Sequence, residues 1–344
     1  MRKVRVAING FGRIGRAFFK LALTKKELEV VAINDLGDLG NLAYLLRYDS
    51  AYGRYGKDIS TKEVDGKKYL VVDGHETLFI GEKDPTLLPW APLNIDIVVE
   101  ATGVFDSFEK AAVHQKVGAK KVVITAPAKD DDGPNGQTVL LGVNEDNLKN
   151  CSISSNGSCT TNSVSPVMQI LVEKLRIKKA FLNTTHSYTA TQSLIDGPVK
   201  GSDWKRGRSA AVNISPSWTG AAIATTRAVT ALKGKFDGVS MRVPTQTGSL
   251  SCIVFCSPKS VTVEELNGMF KESEKEDRWK GILRTTNDQI VSSDIVGDPH
   301  AAIVDLGLTK VVDGDLCAVF SWYDNEFGYT NTLVEHVLKA AKLP

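Results

Sequence analysis

Cys159 stands in the stretch SNGSCTTNSVSP, residues 155 to 166, among serine, threonine and asparagine. Val164, Val167, Met168, Leu171, Val172 and Leu175 follow at the spacing of one helix face. A thiol at a helix start lies in the positive end of the dipole, which favours thiolate and a lowered pKa. The N–H groups and hydroxyls of Ser158, Thr160 and Thr161 can bind an anion or oxyanion there. Pro166 leaves a second arrangement open, with the helix starting near Ser165 and Cys159 in the loop before it. A buried structural cysteine beside capping hydroxyls is the competing reading. His186, in NTTHSYTATQ, ends an apolar strand pattern among hydroxyls. A cysteine–histidine pair would activate the thiol and supply general acid/base catalysis. His75, His114 and His336 fall in charged or helical surroundings and read as surface or packing residues, while His300 in GDPHAA is undecided.

A second constellation lies near the start. Gly10, Gly12 and Gly15 form GxGxxG in GFGRIG, directly after VRVAIN and ahead of the apolar-periodic RAFFKLALTK. Glycines there permit a tight turn and close backbone approach to a pyrophosphate, whose charge the helix start stabilises. Asp35 closes the next strand pattern, EVVAIND, where a carboxylate can accept from a ribose 2′-hydroxyl. Strand, glycines and acid together imply a dinucleotide site; the glycines alone would imply only a turn.

These residues need a scaffold. The 344-residue chain exceeds one ordinary core, so two domains are expected. Strand patterns at 4–10, 29–35, 96–103, 120–128 and 138–144, separated by helix-length segments, predict a parallel sheet covered on both faces. Longer strand patterns at 238–257 and 314–325 predict a mainly antiparallel sheet with flanking helices, and NTLVEHVLKAAKLP predicts a terminal helix packed back onto the first domain. The fold class is therefore α/β, a Rossmann-type unit joined to an α+β unit.

Composition narrows the function. A net charge of +2 and the absence of a long basic run give no sign of a polyanionic partner. The five cysteines are odd in number without CxxC spacing, so a reduced setting is expected and no metal site is indicated. Cys252 and Cys256 would share a strand face, too far apart to join. The opening residues run into a strand pattern without a secretory apolar stretch, and no long uncharged apolar run suggests a membrane span. A cytoplasmic protein is expected.

Nine blocks in order, GFGRIG, NDL, YDSAYG, SNGSCTTN, THSYTATQ, DGP, SWTGAA, RVPT and WYDNEFGY, resemble the phosphorylating glyceraldehyde-3-phosphate dehydrogenase family over nearly the whole chain. The resemblance implies a Rossmann domain at 1–158 completed by the C-terminal helix from about 326, a catalytic domain at 159–325, and a homotetramer. It places Cys159 at a helix start despite Pro166, as the nucleophile toward an aldehyde, with His186 as base and NAD as hydride acceptor. It assigns Ser158, Thr160, Thr219 and Gly220 to inorganic phosphate, and Thr189, Thr191 and Arg242 to the substrate phosphate, which an arginine can bind with two parallel bonds. Cofactor contacts would come from Gly10, Phe11, Gly12, Arg13, Ile14, Gly15, Asn34, Asp35, Lys83, Thr102, Gly103, Thr125 and Asn325. The basic segment KGSDWKRGR, 200–208, would be a loop approaching a neighbouring subunit's cofactor.

Several places depart from that pattern: Lys83 replaces an arginine, Ser163 a second cysteine, Trp218 a small polar residue beside Thr219, and GDPHAAIVD at 297–305 differs from the commoner sequence. Erythrose-4-phosphate dehydrogenase shares SCTTN but typically departs from HSYTAT. Aspartate-semialdehyde dehydrogenase and N-acetylglutamyl-phosphate reductase also pair a Rossmann fold with a reactive cysteine, but YDS, RVPT and WYDNE argue against both. A redox sensor or RNA-binding module without turnover is the non-enzymatic alternative, against which Cys159, His186 and Arg242 stand intact.

Overall fold

The computed structural model describes residues 2–343. The chain forms two compact units, one running through Val139 with Glu145–Gly157 and the segment from Leu333, the other holding Leu140–Asn144 and Ser158–Thr332.

The first unit is built on a nine-stranded sheet. Six parallel strands stand in the order Ile153–Ser155, Lys121–Ile124, Ile97–Glu100, Val4–Asn9, Leu28–Asn34 and His75–Ile80, with Gln137–Thr138 pairing parallel at one edge. The central runs IVVE and KVVI are apolar on both faces because helices cover both, as a parallel sheet requires. At the other edge Lys67–Val72 and Ile59–Val64 add as antiparallel strands. Their two turns each contain Asp-Gly with both residues at positive φ: Asp65 at 50° and Gly66 at 72°, then Asp73 at 48° and Gly74 at 80°. That backbone twist matches the twist of the flanking strands, which is why Asp-Gly recurs in tight hairpins. Leu333, Val334, Val337 and Leu338 of the terminal helix Phe327–Ala341 share one core with Val6, Ile8, Phe18 and Phe19.

One expected strand fails. Of residues 138–144 only Thr138 pairs in the sheet, alongside Gln137. The amides of Val143 and Asn144 both bond the Leu140 carbonyl, and the Asn144 side chain accepts from the Leu140 amide. The apolar run is a turn whose Leu141 sits in the second unit's core.

The second unit carries an eight-stranded mixed sheet. Its order is Ser215–Trp218, Phe236–Val243, Lys179–Ser187, Ser249–Cys256, Leu316–Tyr323, Ala302–Asp305 and Leu283–Thr286, with Lys310–Val312 also on Leu316–Tyr323. Most pairs are antiparallel; Lys179–Ser187 runs parallel to Phe236–Val243, as Leu283–Thr286 does to Ala302–Asp305. Against one face lies the helix Cys159–Ile170, buried along nearly its whole length, with Val164, Val167, Met168 and Leu171 at the centre of the core. Pro166 lies inside this helix rather than at its start. It removes one intrahelical hydrogen bond. The helix passes into a π-helical turn, Leu171–Leu175, and ends at Arg176 in the left-handed region, φ 56°. Val172, expected on the buried face, is only partly covered.

Candidate active site

The cofactor cradle forms where parallel strands end. Gly10 adopts φ +96°, and a Cβ on it would sit 2.7 Å from backbone atoms of Ala101 and Thr102. A Cβ on Gly15 would meet the Gly10 carbonyl oxygen at 2.1 Å. Only glycine lets the turn lie flat against the neighbouring strand end and the helix. The helix Arg13–Ala22 has no side-chain cap and no acidic residue in its first turn, so its N–H groups suit a pyrophosphate. Asp35 accepts from the Phe11 amide at 2.6 Å and the Gly37 amide at 2.8 Å. A cavity of about 480 Å³ brings together Gly10, Gly12, Asn34, Asp35, Lys83 and Thr102 beside Leu36, Val104 and Phe105. Gly103 turns at φ +71° next to Thr102, Thr125 bonds the Glu100 carbonyl, and Ile14 packs on the core. Arg13 is held by Asp49 at 3.1 Å and lies over the Tyr52 ring. An uncapped helix start, an apolar slot and a carboxylate at the second strand's end fit a dinucleotide.

The cysteine–histidine pair belongs to the second unit. Ser158 caps the cysteine helix, its Oγ accepting from the Thr161 amide at 3.0 Å, so Cys159 is the first helical residue. Cys159 Sγ lies 3.3 Å from His186 Nε2. Register explains the next contact: His186 and Arg242 are direct partners on parallel strands, so both side chains leave the same face. Arg242 Nη1 comes within 2.6 Å of His186 Nδ1 and donates to the Ser187 carbonyl at 3.2 Å. His186 Nδ1 also lies 2.7 Å from that carbonyl. The imidazole therefore meets a cationic donor and a carbonyl acceptor at one nitrogen and the thiol at the other.

Burial dominates the charges. It holds His186 down to about 3, with Arg242 adding to the effect. The Cys159 thiol is pushed up by burial, against the pull of the Arg242 charge and the Thr160 hydrogen bonds. The lowered thiol pKa expected from the helix start is not what the packing favours: burial is the largest influence and pushes the thiol up, against the Arg242 charge and the local hydrogen bonds. Beneath them Tyr323, pushed up to about 12 by burial, binds Thr160 Oγ1 at 2.9 Å and Thr184 Oγ1 at 2.8 Å and meets the His186 ring edge-on.

The remaining candidates surround this core. Thr189 and Thr191 join hydroxyls at 3.0 Å. Thr219 Oγ1 accepts from the Ala221 amide, and with Gly220 it opens the helix Ala221–Ala228, which packs on the cysteine helix through the Thr225 and Ser165 hydroxyls. Trp218 does not fill the site; it is 68% exposed, its ring passing over Gly220 toward a depression of about 740 Å³ lined by Phe181 and Ile223. Ser163 is buried against Ser321. Asn325 Oδ1 accepts from Ser187 Oγ at 2.9 Å and the Gly248 amide at 3.0 Å, which turns its NH2 group to other partners.

Two participants escaped the sequence reading. Tyr323 lies within WYDNEFGY, where only Asn325 drew attention. Arg206 belongs to the basic segment 200–208 by sequence, yet it donates to Thr191 Oγ1 at 2.7 Å and Ser217 Oγ at 3.1 Å and pairs with Asp203. Burial lowers both His186 and Arg242, and the Arg206 charge adds to the effect. Arg242 Nε is buried without a hydrogen-bond partner among the described residues. Two guanidinium groups so placed suit an anion.

A Rossmann unit carrying a dinucleotide cradle, joined to a unit that sets a cysteine–histidine pair beside two arginines, fits a dinucleotide-dependent dehydrogenase with an anionic substrate. Residues 4–108 match the family model described as glyceraldehyde 3-phosphate dehydrogenase, NAD binding domain, and residues 158–325 match the corresponding C-terminal domain. Similar proteins named glyceraldehyde-3-phosphate dehydrogenase include those of Streptomyces coelicolor, 45% identical over 96% of this chain and 97% of that protein, and Mycobacterium avium, 46% identical over 98% and 99%. That of Clostridium pasteurianum is 45% identical over 98% of this chain and 99% of its own. The chain belongs to the glyceraldehyde-3-phosphate dehydrogenase family.

Proposed function

We propose that this protein oxidises D-glyceraldehyde 3-phosphate to 1,3-bisphosphoglycerate with NAD and inorganic phosphate. The observation that carries the reading is the 3.3 Å contact between Cys159 Sγ and His186 Nε2 beside Arg242 and Arg206. Cys159 Sγ bonds to the aldehyde carbon, and the thiol proton passes through His186 to the new alkoxide. His186 Nε2 then takes the proton of that hydroxyl as the carbon gives up hydride. Burial and the Arg242 charge keep the imidazole neutral in the free protein, and a substrate phosphate that neutralises Arg242 raises its basicity for this step. When bound, NAD supplies the hydride acceptor. Inorganic phosphate displaces Cys159 from the resulting thioester, releasing the acyl phosphate.

Arg242, with Thr189 and Thr191, holds the substrate phosphate, and Arg206 adds a second charge through Thr191. Ser158, Thr160, Thr219 and Gly220 receive inorganic phosphate. Gly10, Phe11, Gly12, Arg13, Ile14, Gly15, Asn34, Asp35, Lys83, Thr102, Gly103 and Thr125 hold the dinucleotide, and Asn325 offers its NH2 group to the nicotinamide amide. The protein works as a cytoplasmic homotetramer. Support for assembly comes from the segment between Ser193 and Ile214, which leaves Leu194, Ile195, Val212 and Ile214 exposed and Trp204 79% exposed, more apolar surface than an unpartnered loop usually carries.

Absorbance at 340 nm tests the reaction. Purified protein with glyceraldehyde 3-phosphate and NAD should form NADH in a phosphate-dependent manner. Higher kcat/KM for erythrose 4-phosphate, or indifference to phosphate, would overturn the assignment.

A further inference from the structure

The cofactor unit buries a second carboxylate and histidine that the steps above do not use. Glu100 ends the strand next to Val4–Asn9, with its side chain behind the cradle and 2% of the residue exposed. Its Oε2 accepts from Asn9 Nδ2 at 2.6 Å and contacts His114 Nε2 at 3.1 Å. Its Oε1 accepts from the Thr102 amide at 2.8 Å and from the Thr102 hydroxyl. The tautomer of His114 follows from its other neighbour. Trp90 Nε1, which can only donate, lies 3.1 Å from His114 Nδ1. His114 Nδ1 is therefore the acceptor, and Nε2 carries the proton given to Glu100.

The same reasoning orients the chain of amides. Asn34 takes the Glu82 amide on its Oδ1 and donates from Nδ2 to the Glu82 carbonyl and to Asn9 Oδ1. Asn9 thus receives from Asn34 and gives to Glu100, with direction fixed at both ends. Asn9, Asn34, Glu82 and Thr102 all line the 480 Å³ cavity, whereas Glu100 and His114 stand behind it. His114 also meets Phe105, another lining residue, edge-on at 5.7 Å. The tight fit of Gly10 against Ala101 and Thr102 means that moving Thr102 moves the phosphate-binding turn.

We infer that Glu100, backed by His114, is a positioning residue for NAD: it acts through Asn9 and Thr102 to hold the ends of adjacent strands in the arrangement that accepts the dinucleotide. The inference rests on the NAD reading of this cradle. Glu100→Gln keeps shape and volume but turns one acceptor into a donor, so an N–H must face another N–H, and Asn9, Asn34 or His114 has to flip against its fixed neighbour.

The test measures NAD affinity by calorimetry, together with KM, kcat and Tm. Glu100→Gln should raise both the Kd and the KM for NAD roughly tenfold while kcat at saturating NAD stays within about twofold. His114→Phe should weaken binding in the same sense. His114→Gln, which can still donate to Glu100, should lie near wild type. Lowered Tm with unchanged Kd and KM in Glu100→Gln and His114→Phe would overturn the inference and leave the network a buttress. Should Glu100→Gln not fold, the contrast between His114→Phe and His114→Gln decides alone. Wild-type protein that fails to bind NAD would instead overturn the cofactor reading itself.

Discussion

His186 and His336 are buried alike and held alike at about 3, yet their surroundings differ in kind. His336 sits between Ser154 Oγ at 2.8 Å and Asn156 Oδ1 at 3.0 Å, two small neutral partners that satisfy both ring nitrogens. His186 meets a thiol at one nitrogen, and a guanidinium and a carbonyl compete at the other. Complete burial is common to both, so burial does not mark the histidine proposed as the base. What marks it is a set of partners among which protons can be redistributed.

Substitution should separate the two most sharply. His186→Asn removes the base, and kcat should fall by roughly 10²–10⁴ while the protein stays folded. His336→Asn should leave kcat within about twofold and cost stability by about 1–3 kcal/mol. Steady-state assays with urea titrations of both variants check this, and equal kcat losses would erase the distinction. The arginines come next. Arg242→Lys retains charge but loses the planar fork, so kcat/KM for glyceraldehyde 3-phosphate should drop roughly ten- to a hundredfold. Unphosphorylated glyceraldehyde should suffer much less; matching losses on both substrates would move Arg242 from the substrate phosphate to the support of His186.

The first unit offers a comparable change of about the same size or smaller. Asp35 is held by two backbone amides at the end of its strand, where a 2′-phosphate would meet its charge. No basic residue follows in LGDLGN, and Pro198 has no N–H to offer a phosphate. NAD should be preferred to NADP. Asp35→Gly should shift the ratio of their kcat/KM values roughly ten- to a hundredfold toward NADP without reversing it. A ratio untouched by the substitution would show that Asp35 does not select the cofactor.

Legibility in the sequence followed how locally each feature is built. The glycine turn, the acid at the end of the next strand pattern and the apolar face of the helix after Cys159 are carried by short runs of sequence and can be read, whereas the start of that helix stays open between Cys159 and Ser165 until the resemblance places it. Asp65-Gly66 and Asp73-Gly74 also announce the hairpins at the sheet edge. The run at 138–144 misled because apolar residues serve a turn entering a core as well as they serve a strand. Arg206 and the chain from Asn34 to Trp90 join residues far apart in sequence, and only the folded sheet gives them a common site. The thiol pKa differs in direction for a related reason: the helix start is local, whereas the burial that pushes the thiol up comes from packing by residues distant in sequence.

The smallest effect expected is on acid stability, and its sign follows from the two buried histidines. An unfolded histidine takes up a proton near pH 6.5, whereas His186 and His336 do so only near 3 in the folded protein. Between those values the unfolded chain binds more protons. The stability that these groups contribute is therefore complete above about pH 6.5 and is lost as pH falls toward 3. Each adds a slope of about 1.4 kcal/mol per pH unit well below 6.5, so together they give about 3 kcal/mol per unit. The lowered carboxylate Asp298, at about 2, acts only below its ordinary value of 3.8, which leaves pH 6 to 4.5 to the histidines. Urea unfolding at fixed protein concentration, without cofactor, should show stability falling across that window. His336→Gln, which cannot titrate, should lose roughly half the slope whatever it does to the absolute value. Stability that stays level from pH 7 to 4.5, or a slope that His336→Gln leaves unchanged, would show that these histidines are not the neutral buried groups described here.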